Sequence, residues 1–463
     1  MRHVKGFLSF LVLLPAVMVQ AQQRHELTVR EAVELAYKNV IAVRNAQLDY
    51  RIQQAQNKEI FGQALPQVVG TVGANHYLKL PGILFPDATS TAVYSILKEE
   101  GVAGANGPIT NVPVPQLRQV SFQQPWNFSA GAQLTQLLFQ PDVFVGLQAR
   151  QAALQLSEAQ LEQVKEGVKD SAYRRYYAIL IAEKQLGFLD SSMKRLEKLY
   201  RDDSIMYVNG FAERLDLERV QVQLNNLRTN RSVVESGINI AYAALKFSIG
   251  IPQQDVVVLK ESLTVDSLKM GILDESFQYE DRAEIRTLSY AKRMQELDLK
   301  RTRLGYLPTV AAVGNYSLNG QGQKFFTHNS TIWINSSFVG LNINVPIFDG
   351  FQRKYKIQQS QLRVEKVDNN IEFVKQAIDF DQVASKESLK NALLNLDIQE
   401  RNITLAEKVY NTTKIKFEQG LGSSFEVLQA DADFQQAQSN YFQALYNATI
   451  ARIGYLRSLG KLQ

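Results

Sequence analysis

The sequence predicts a mainly α-helical protein that also carries β-strands of membrane-barrel character, laid out as two similar halves. Three observations predict this. Long stretches keep a seven-residue apolar period and recur 210 positions apart. Each half holds a pair of runs that alternate with period two. The N-terminus reads as an export signal.

The helical pattern is clearest over Ala406–Tyr455. A long helix runs into Lys416–Leu428, where Gly420 and Gly422 interrupt it, because glycine takes the left-handed conformation that ends a helix without steric cost. Ser423 or Ser424 can cap the next helix, with Glu426 in its first turn. Beyond the turn one seam runs Val427, Phe434, Tyr441, Ala448, Tyr455, and a second runs Ala430, Ala437, Ala444, Ala451. Strict sevens with alanine on one seam describe a helix that lies very close to another. The turn has a twin at Met206–Leu217, with Gly210 opposite Gly420 and Asp216 opposite Glu426. Leu217, Leu224, Ile238 and Leu245 match one seam, broken only by Arg231, and Val220, Leu227, Val234 and Ala241 match the other. The helices leading in agree too, Leu147, Leu154, Leu161 and Val168 against Ile357, Val364, Ile371 and Ile378. This is an internal duplication.

The period-two runs follow Leu-Pro pairs, Leu65-Pro66 and Leu307-Pro308, that end the preceding helices at Leu27–Gly62 and Ala283–Leu304. Thr28 and Glu31 form a capping box at the first of these helices. Gln67–Leu78 and Asn127–Leu137 read as strands in the first half, Thr309–Leu318 and Thr331–Val345 in the second. Phe128, Ala130, Ala132 and Leu134 face one way, with Asn127, Ser129, Gln133 and Thr135 opposite. An apolar outer face over a small, polar inner one is how a membrane barrel strand reads, and a half-buried soluble pair alternates in the same way. Lys79–Gln124 is read as a long loop and Asn319–Ser330 as a short one. Asp255–Leu259 is one strand-like run in an otherwise irregular connector.

Arg2 and Lys5, the apolar run Phe7–Val19 and Val19-Gln20-Ala21 make a secretory signal peptide cut after Ala21. The run is too short to span a bilayer, and no later stretch holds about 20 uninterrupted apolar residues, so any membrane segment would be strands. The organisation expected is residues 1–21 signal peptide, 22–250 first repeat, 251–281 connector and 282–463 second repeat. The chain has no cysteine, hence no disulfide, thiol nucleophile or lipid-anchoring cysteine. Histidines 3, 25, 76 and 328 lack metal-ligand spacing, no basic block suggests nucleic acid, and no Walker loop or Ser/His/Asp set suggests an enzyme. No cofactor or metal is expected.

At these residues the chain resembles the TolC-like outer-membrane efflux protein family. The resemblance rests on the paired Leu-Pro motifs, the strand-to-helix turn Val345-Pro346-Ile347-Phe348-Asp349-Gly350, the tip Gly420 followed by Glu426–Ala430, and its twin Gly210–Leu217. It implies a homotrimer in the outer membrane of a Gram-negative bacterium. Each copy would give four strands to a twelve-stranded barrel, and its helices would join a periplasmic α-barrel. The implied role is a passive export duct for a tripartite efflux or type I secretion system. Its partners would be a periplasmic adaptor, an inner-membrane pump or ABC exporter, and outer-membrane lipid. Physics supports the trimer independently, since four strands cannot close a barrel and open edges in lipid leave backbone groups unpaired.

Carried over by position, Glu426 takes the family's first acidic ring at the periplasmic gate. Gln429 takes the second, where an acid is expected, which leaves three carboxylates around the axis instead of six. Asp216 and Arg219 are the first-half counterparts and form part of a closing charge network. For Glu426 and Asp216 the plainer role is an acid on a helix N-terminus. Gly210, Phe211, Gly420 and Leu421 form the adaptor-contact tips, with ordinary hairpin-turn chemistry as the alternative. Phe417 and Tyr207 are expected in the hairpin core, and Trp126, Trp333, Tyr77 and Tyr316 in an interfacial aromatic belt. The rival functions are an exported coiled-coil scaffold or adhesin, and a periplasmic adaptor without a pore.

Overall fold

The computed structural model describes residues 23–261, 268, 277–325 and 331–462. The signal peptide at 1–21, His3, His328 and residues 262–267 and 269–276 of the connector lie outside the described residues. The first half contains β1 (Arg24–Leu27), α1 (Val29–Asn39), α2 (Ile41–Gln63), β2 (Gln67–His76), β3 (Ile83–Asp87) and α3 (Thr89–Glu99). It continues with β4 (Ala103–Gly104), β5 (Gly107–Pro108), β6 (Gln116–Val120), β7 (Trp126–Phe139), α4 (Pro141–Val208) and α5 (Arg214–Ile249). After β8 (Val256–Leu259) and a 3-10 turn at Tyr279–Asp281 come α6 (Ala283–Leu304), β9 (Thr309–Gly322), β10 (Thr331–Asn344), α7 (Gln352–Glu418) and α8 (Ser424–Ser458). The chain forms two compact units, one from Met1–Gln54, Gln151–Gln295 and Arg363–Gln463, the other from Ala55–Arg150 and Glu296–Leu362.

The second unit holds a four-stranded sheet in the order β10-β9-β7-β2, antiparallel throughout. Its edge strands β2 and β10 have no further partner among the described residues. Both edges carry exposed apolar side chains, including Val72 and Val339, each about nine-tenths exposed. At one end of the sheet Trp126 meets the His76 ring at 4.4 Å and Phe325 at 4.8 Å, and Phe128 lies 6.2 Å from Trp333. A side chain at Gly320 would enter the Trp333 ring at 2.8 Å, so only glycine lets the two aromatic residues meet across β9. Trp126, Trp333 and the neighbouring Tyr77 gather there, whereas Tyr316 sits further along β9, opposite Ser337.

In the helical unit β1 pairs with β8 in parallel. The Tyr176 hydroxyl, fully buried, donates to the Leu27 carbonyl at 2.9 Å and ties α4 to that pair. The core beside it takes Ala32, Ala36, Ile179, Leu245, Ile249 and Ala448. The seam residues Val427, Phe434, Ala448 and Tyr455 are buried, as are Ala430 and Ala444. In the twin helix Val220, Leu224, Leu227, Ile238 and Leu245 are buried.

Four local readings change. The helix expected over Leu27–Gly62 is two helices, because Val40 is extended (ψ 126°). Val40 and Ile41 are consecutive β-branched residues, which weaken a helix. Asn39 packs so closely on Gly250 that an added Cβ there would lie 2.8 Å from its backbone. Leu27 itself belongs to β1. The Lys79–Gln124 loop is structured: β3 pairs with β6, β4 with β5, and α3 lies between, with the Thr89 N–H donating to Asp87 Oδ1 at 3.2 Å. These elements are too short to show a period in a segment rich in proline and glycine. The Asn319–Ser330 loop begins four residues later than expected, since β9 stays in register with β7 as far as Gly322.

The duplication reaches further than the seams. Gly250 (φ +71°) and Gly460 (φ +71°) end α5 and follow α8, 210 positions apart. Gly250 abuts Asn39 and Gly460 abuts Asp281, a pair 242 positions apart, as are Leu65 and Leu307. The first half is therefore 32 residues longer, and the excess lies between its two strands.

Candidate functional site: the paired hairpin tips

Both tips close with the same hydrogen bonds. Gly210 N–H donates to Tyr207 O at 3.0 Å and Phe211 N–H to Met206 O at 2.8 Å; Gly420 N–H donates to Phe417 O and Leu421 N–H to Lys416 O, both at 2.9 Å. This is a Schellman cap with glycine in the left-handed position, φ +78° and +75°. Phe211 and Leu421 follow directly and are 80% and 75% exposed, so each apex presents one apolar side chain to solvent. Of the two serines considered, Ser423 is the cap, its Oγ accepting from Glu426 N–H at 3.3 Å. Phe417 is partly buried in the tip core, as expected, but Tyr207 is 41% exposed.

The structure brings the two hairpins together through Asp203, Arg195 and Asp431, none of which the sequence singles out. Ser424 Oγ donates to Asp203 Oδ2 at 2.7 Å, and both side chains are buried. Arg195 Nε donates to Asp431 Oδ1 at 2.9 Å, and its Nη2 donates to Ser192 Oγ at 2.7 Å. Asp431 also accepts from Gln435 Nε2. The Arg195 guanidinium lies 5.0 Å from the Phe434 ring and 5.2 Å from the Tyr410 ring. The Ser424–Asp203 and Arg195–Asp431 bonds and the contacts of Arg195 with the Phe434 and Tyr410 rings join the first hairpin to the second.

Asp216 and Arg219 pair with each other at 3.3 Å, and Arg219 covers the Phe425 ring at 5.0 Å, so this couple also reaches the second hairpin. Glu426 and Gln429 are exposed on α8. Gln429 Nε2 donates to Asp433 Oδ1 at 3.0 Å. Asp433 is exposed one turn further along the same face.

Burial pushes the Asp203 carboxyl above its ordinary value of 3.8, against the lowering effect of the Ser424 bond, and the Asp216 and Asp202 charges push the same way. Burial raises Asp431 as well, with Arg195 opposing. A carboxyl raised in the folded state contributes stability that is complete below its unfolded value and lost as pH rises through the folded one. Asp203→Asn is therefore expected to melt no lower than wild type at pH 7.5, with wild type gaining relative to the variant as pH falls toward 4. Melting of detergent-solubilised protein at the two pH values checks this; a pH-independent difference would remove Asp203 from the titration.

Among the described residues no helix is long and apolar enough to cross a membrane, and no His/Asp/Glu group is arranged to hold a metal. Residues 290–461 match the model of the family described as Outer membrane efflux protein. The chain is 19% identical over 339 residues to Outer membrane protein TolC of Vibrio cholerae, covering 72% of this chain and 77% of that one. The solved structure of CusC superposes with a TM-score of 0.71 at 16% identity, over 94% of this chain and 92% of that one. VceC of Vibrio cholerae superposes with a TM-score of 0.67 at 12% identity, over 93% and 96%. With the family's model matched over residues 290–461, a TolC among its relatives and a shared fold with CusC and VceC along nearly its whole length, the chain is similar to the outer-membrane efflux proteins.

Proposed function

We propose that the protein is the outer-membrane exit duct of a tripartite efflux or type I secretion system, and that it works as a homotrimer. The observation that carries this is the open sheet. Four antiparallel strands end in two unpaired edges, β2 and β10, with apolar side chains exposed along them. In lipid such edges are tolerated only if the sheet closes. The first and last strands of an up-down-up-down sheet run in opposite senses, so β2 of one copy fits antiparallel against β10 of the next. Three copies then make a closed barrel of twelve strands.

The helices support the same assembly. Within one chain α4 packs on α8, through Arg195–Asp431 and Asp203–Ser424. The duplication makes α7 the twin of α4 and α5 the twin of α8. The same pairing repeated between copies sets α7 against a neighbour's α5. Both carry exposed apolar residues for it: Phe373, Phe380 and Leu405 on α7, and Val222, Val233 and Ile240 on α5.

In this reading Glu426 and Asp433 face the narrow end of the duct as acidic rings, six carboxylates in a trimer, with Gln429 between them. Asp216, paired to Arg219, belongs to the closing network. Gly210, Phe211, Gly420 and Leu421 form the surface that a periplasmic adaptor grips, with the two exposed apolar side chains as anchors. Energy for transport comes from the inner-membrane partner. Planar-bilayer recording of the detergent-purified protein tests the function. A small, cation-selective conductance that grows or loses selectivity in Glu426→Ala is expected; a membrane-inserted protein that conducts nothing would favour a scaffold.

A further inference from the structure

We propose that the duct wall beyond the acidic tip is indifferent to charge: a column of self-paired carboxamides on α8, echoed on α5, passes polar cargo of either sign and confines charge selection to Glu426 and Asp433. This rests on the duct reading above.

The column starts at the gate. From Glu426 one face of α8 continues through Gln429, Asp433, Gln436, Asn440, Gln443 and Asn447, at alternating steps of three and four, and every one of these side chains is exposed. The glutamines are bonded forward by one turn in three successive heptads. Gln429 Nε2 donates to Asp433 Oδ1 at 3.0 Å, Gln436 Nε2 to Asn440 Oδ1 at 2.9 Å, and Gln443 Nε2 to Asn447 Oδ1 at 3.0 Å. From Gln436 onward the column carries no charge.

This is not the composition of the region. Over the neighbouring heptads α7 exposes Lys386, Glu387, Lys390, Arg401, Glu407 and Lys408, the usual dress of a solvated helix face. The duplication supplies an independent observation. The α5 positions that twin Asp433, Gln436 and Asn440 are Gln223, Asn226 and Asn230, all carboxamides, and the last two are exposed. The two helices share this chemistry over those three positions, while the twins of Gln443 and Asn447 are Val233 and Gly237.

Carboxamides in this arrangement keep a wall wet without making it adhesive. Each offers donors and acceptors, but the best-placed ones already serve a neighbour one turn away. With no net charge the wall gathers no counter-ions. The field of the tip acids is screened within about 8 Å at physiological salt, whereas Asn447 lies about 21 Å along the helix from Asp433. A solute past the tip thus meets a surface that prefers neither cations nor anions. The matching cargo class is hydrated, polar molecules of either charge, including polypeptide segments, whose own amides resemble the wall.

Reversal potentials in a KCl gradient, recorded on single trimers, test this. Wild type is expected to favour potassium. Glu426→Gln/Asp433→Asn should bring the permeability ratio toward unity, because the wall adds no preference of its own. Gln436→Lys/Gln443→Lys, at positions already exposed, should shift the ratio toward chloride. If the acid-free variant keeps the wild-type ratio, charge selection lies elsewhere and the proposal fails. If the lysine pair leaves the ratio unchanged, the column does not face the duct, and the proposal fails while the duct stands. Because the chain has no cysteine, Asn440→Cys gives a second readout. Cationic and anionic thiol reagents entering through the duct should label it at comparable rates; a strong preference for either would overturn the neutral wall. A wild-type protein that never conducts removes the duct reading itself, and the wall with it.

Discussion

Arg195→Ala is expected to cost about 3–5 kcal/mol, because it strands a buried carboxylate. The Asp431 side chain is 1% exposed and has Arg195 as its ion-pair partner at 2.9 Å. The same guanidinium holds Ser192 Oγ and lies against Phe434 and Tyr410. Without it Asp431 must stay charged in an apolar setting or take up a proton, and both weaken the join between hairpins. Arg195→Met/Asp431→Leu is expected to lie much closer to wild type, since removing both charges leaves no buried charge unpaired. Melting and denaturant titration of the three proteins in detergent check this. Equal losses in the single and double variants would mean that the packing of the arginine stem, and not its charge, holds the site. In bilayers the single variant should also open more often, as the join it weakens is the one between the tips.

The second large effect is all-or-none. A cysteine at Val72 on β2, combined with one at Val339 or Leu341 on β10, should yield covalent dimers and trimers on oxidation. A disulfide requires Cα atoms roughly 4.4–6.8 Å apart, so only one of the two β10 positions should respond. All three residues are exposed in a single chain, and the cysteine-free background keeps the bands unambiguous. Non-reducing electrophoresis gives the answer. Monomer alone from a membrane-inserted sample would sink the three-copy barrel, whatever the protein conducts.

The seams, turns and strands were legible in the sequence because each follows a period that backbone geometry imposes. Val427, Phe434 and Ala448 are buried where sevens put them, and the tip glycines have positive φ where the turn demands it. The ties between the hairpins were not legible. Asp203, Asp431, Ser192 and Gln438 are buried polar residues, and in a linear sequence a polar residue reads as exposed until its partner, more than 200 positions away, is placed beside it. Asp433 lies four residues beyond position 429, where the family pattern puts an acid, so the pattern does not point to it. The break at Val40 falls at a β-branched pair, and the close approach of Gly250 to Asn39 beside it comes from 211 positions away.

The duplicated register has a consequence for length. α4 and α7 have 68 and 67 residues, and the ties Arg195–Asp431 and Asp203–Ser424 lock one hairpin to the other at fixed height. Deleting a heptad from α7 and from α8 alone would leave every seam in phase, yet it would carry Ser424 about 10 Å away from Asp203. The two hairpins can therefore be lengthened or trimmed only in concert, by the same number of turns. Independent variation is left to the segment between β2 and β7, where the first half already carries its 32 extra residues. A shorter or longer pair of hairpins would have to be made by paired edits, and a swapped segment between β2 and β7 by a single one.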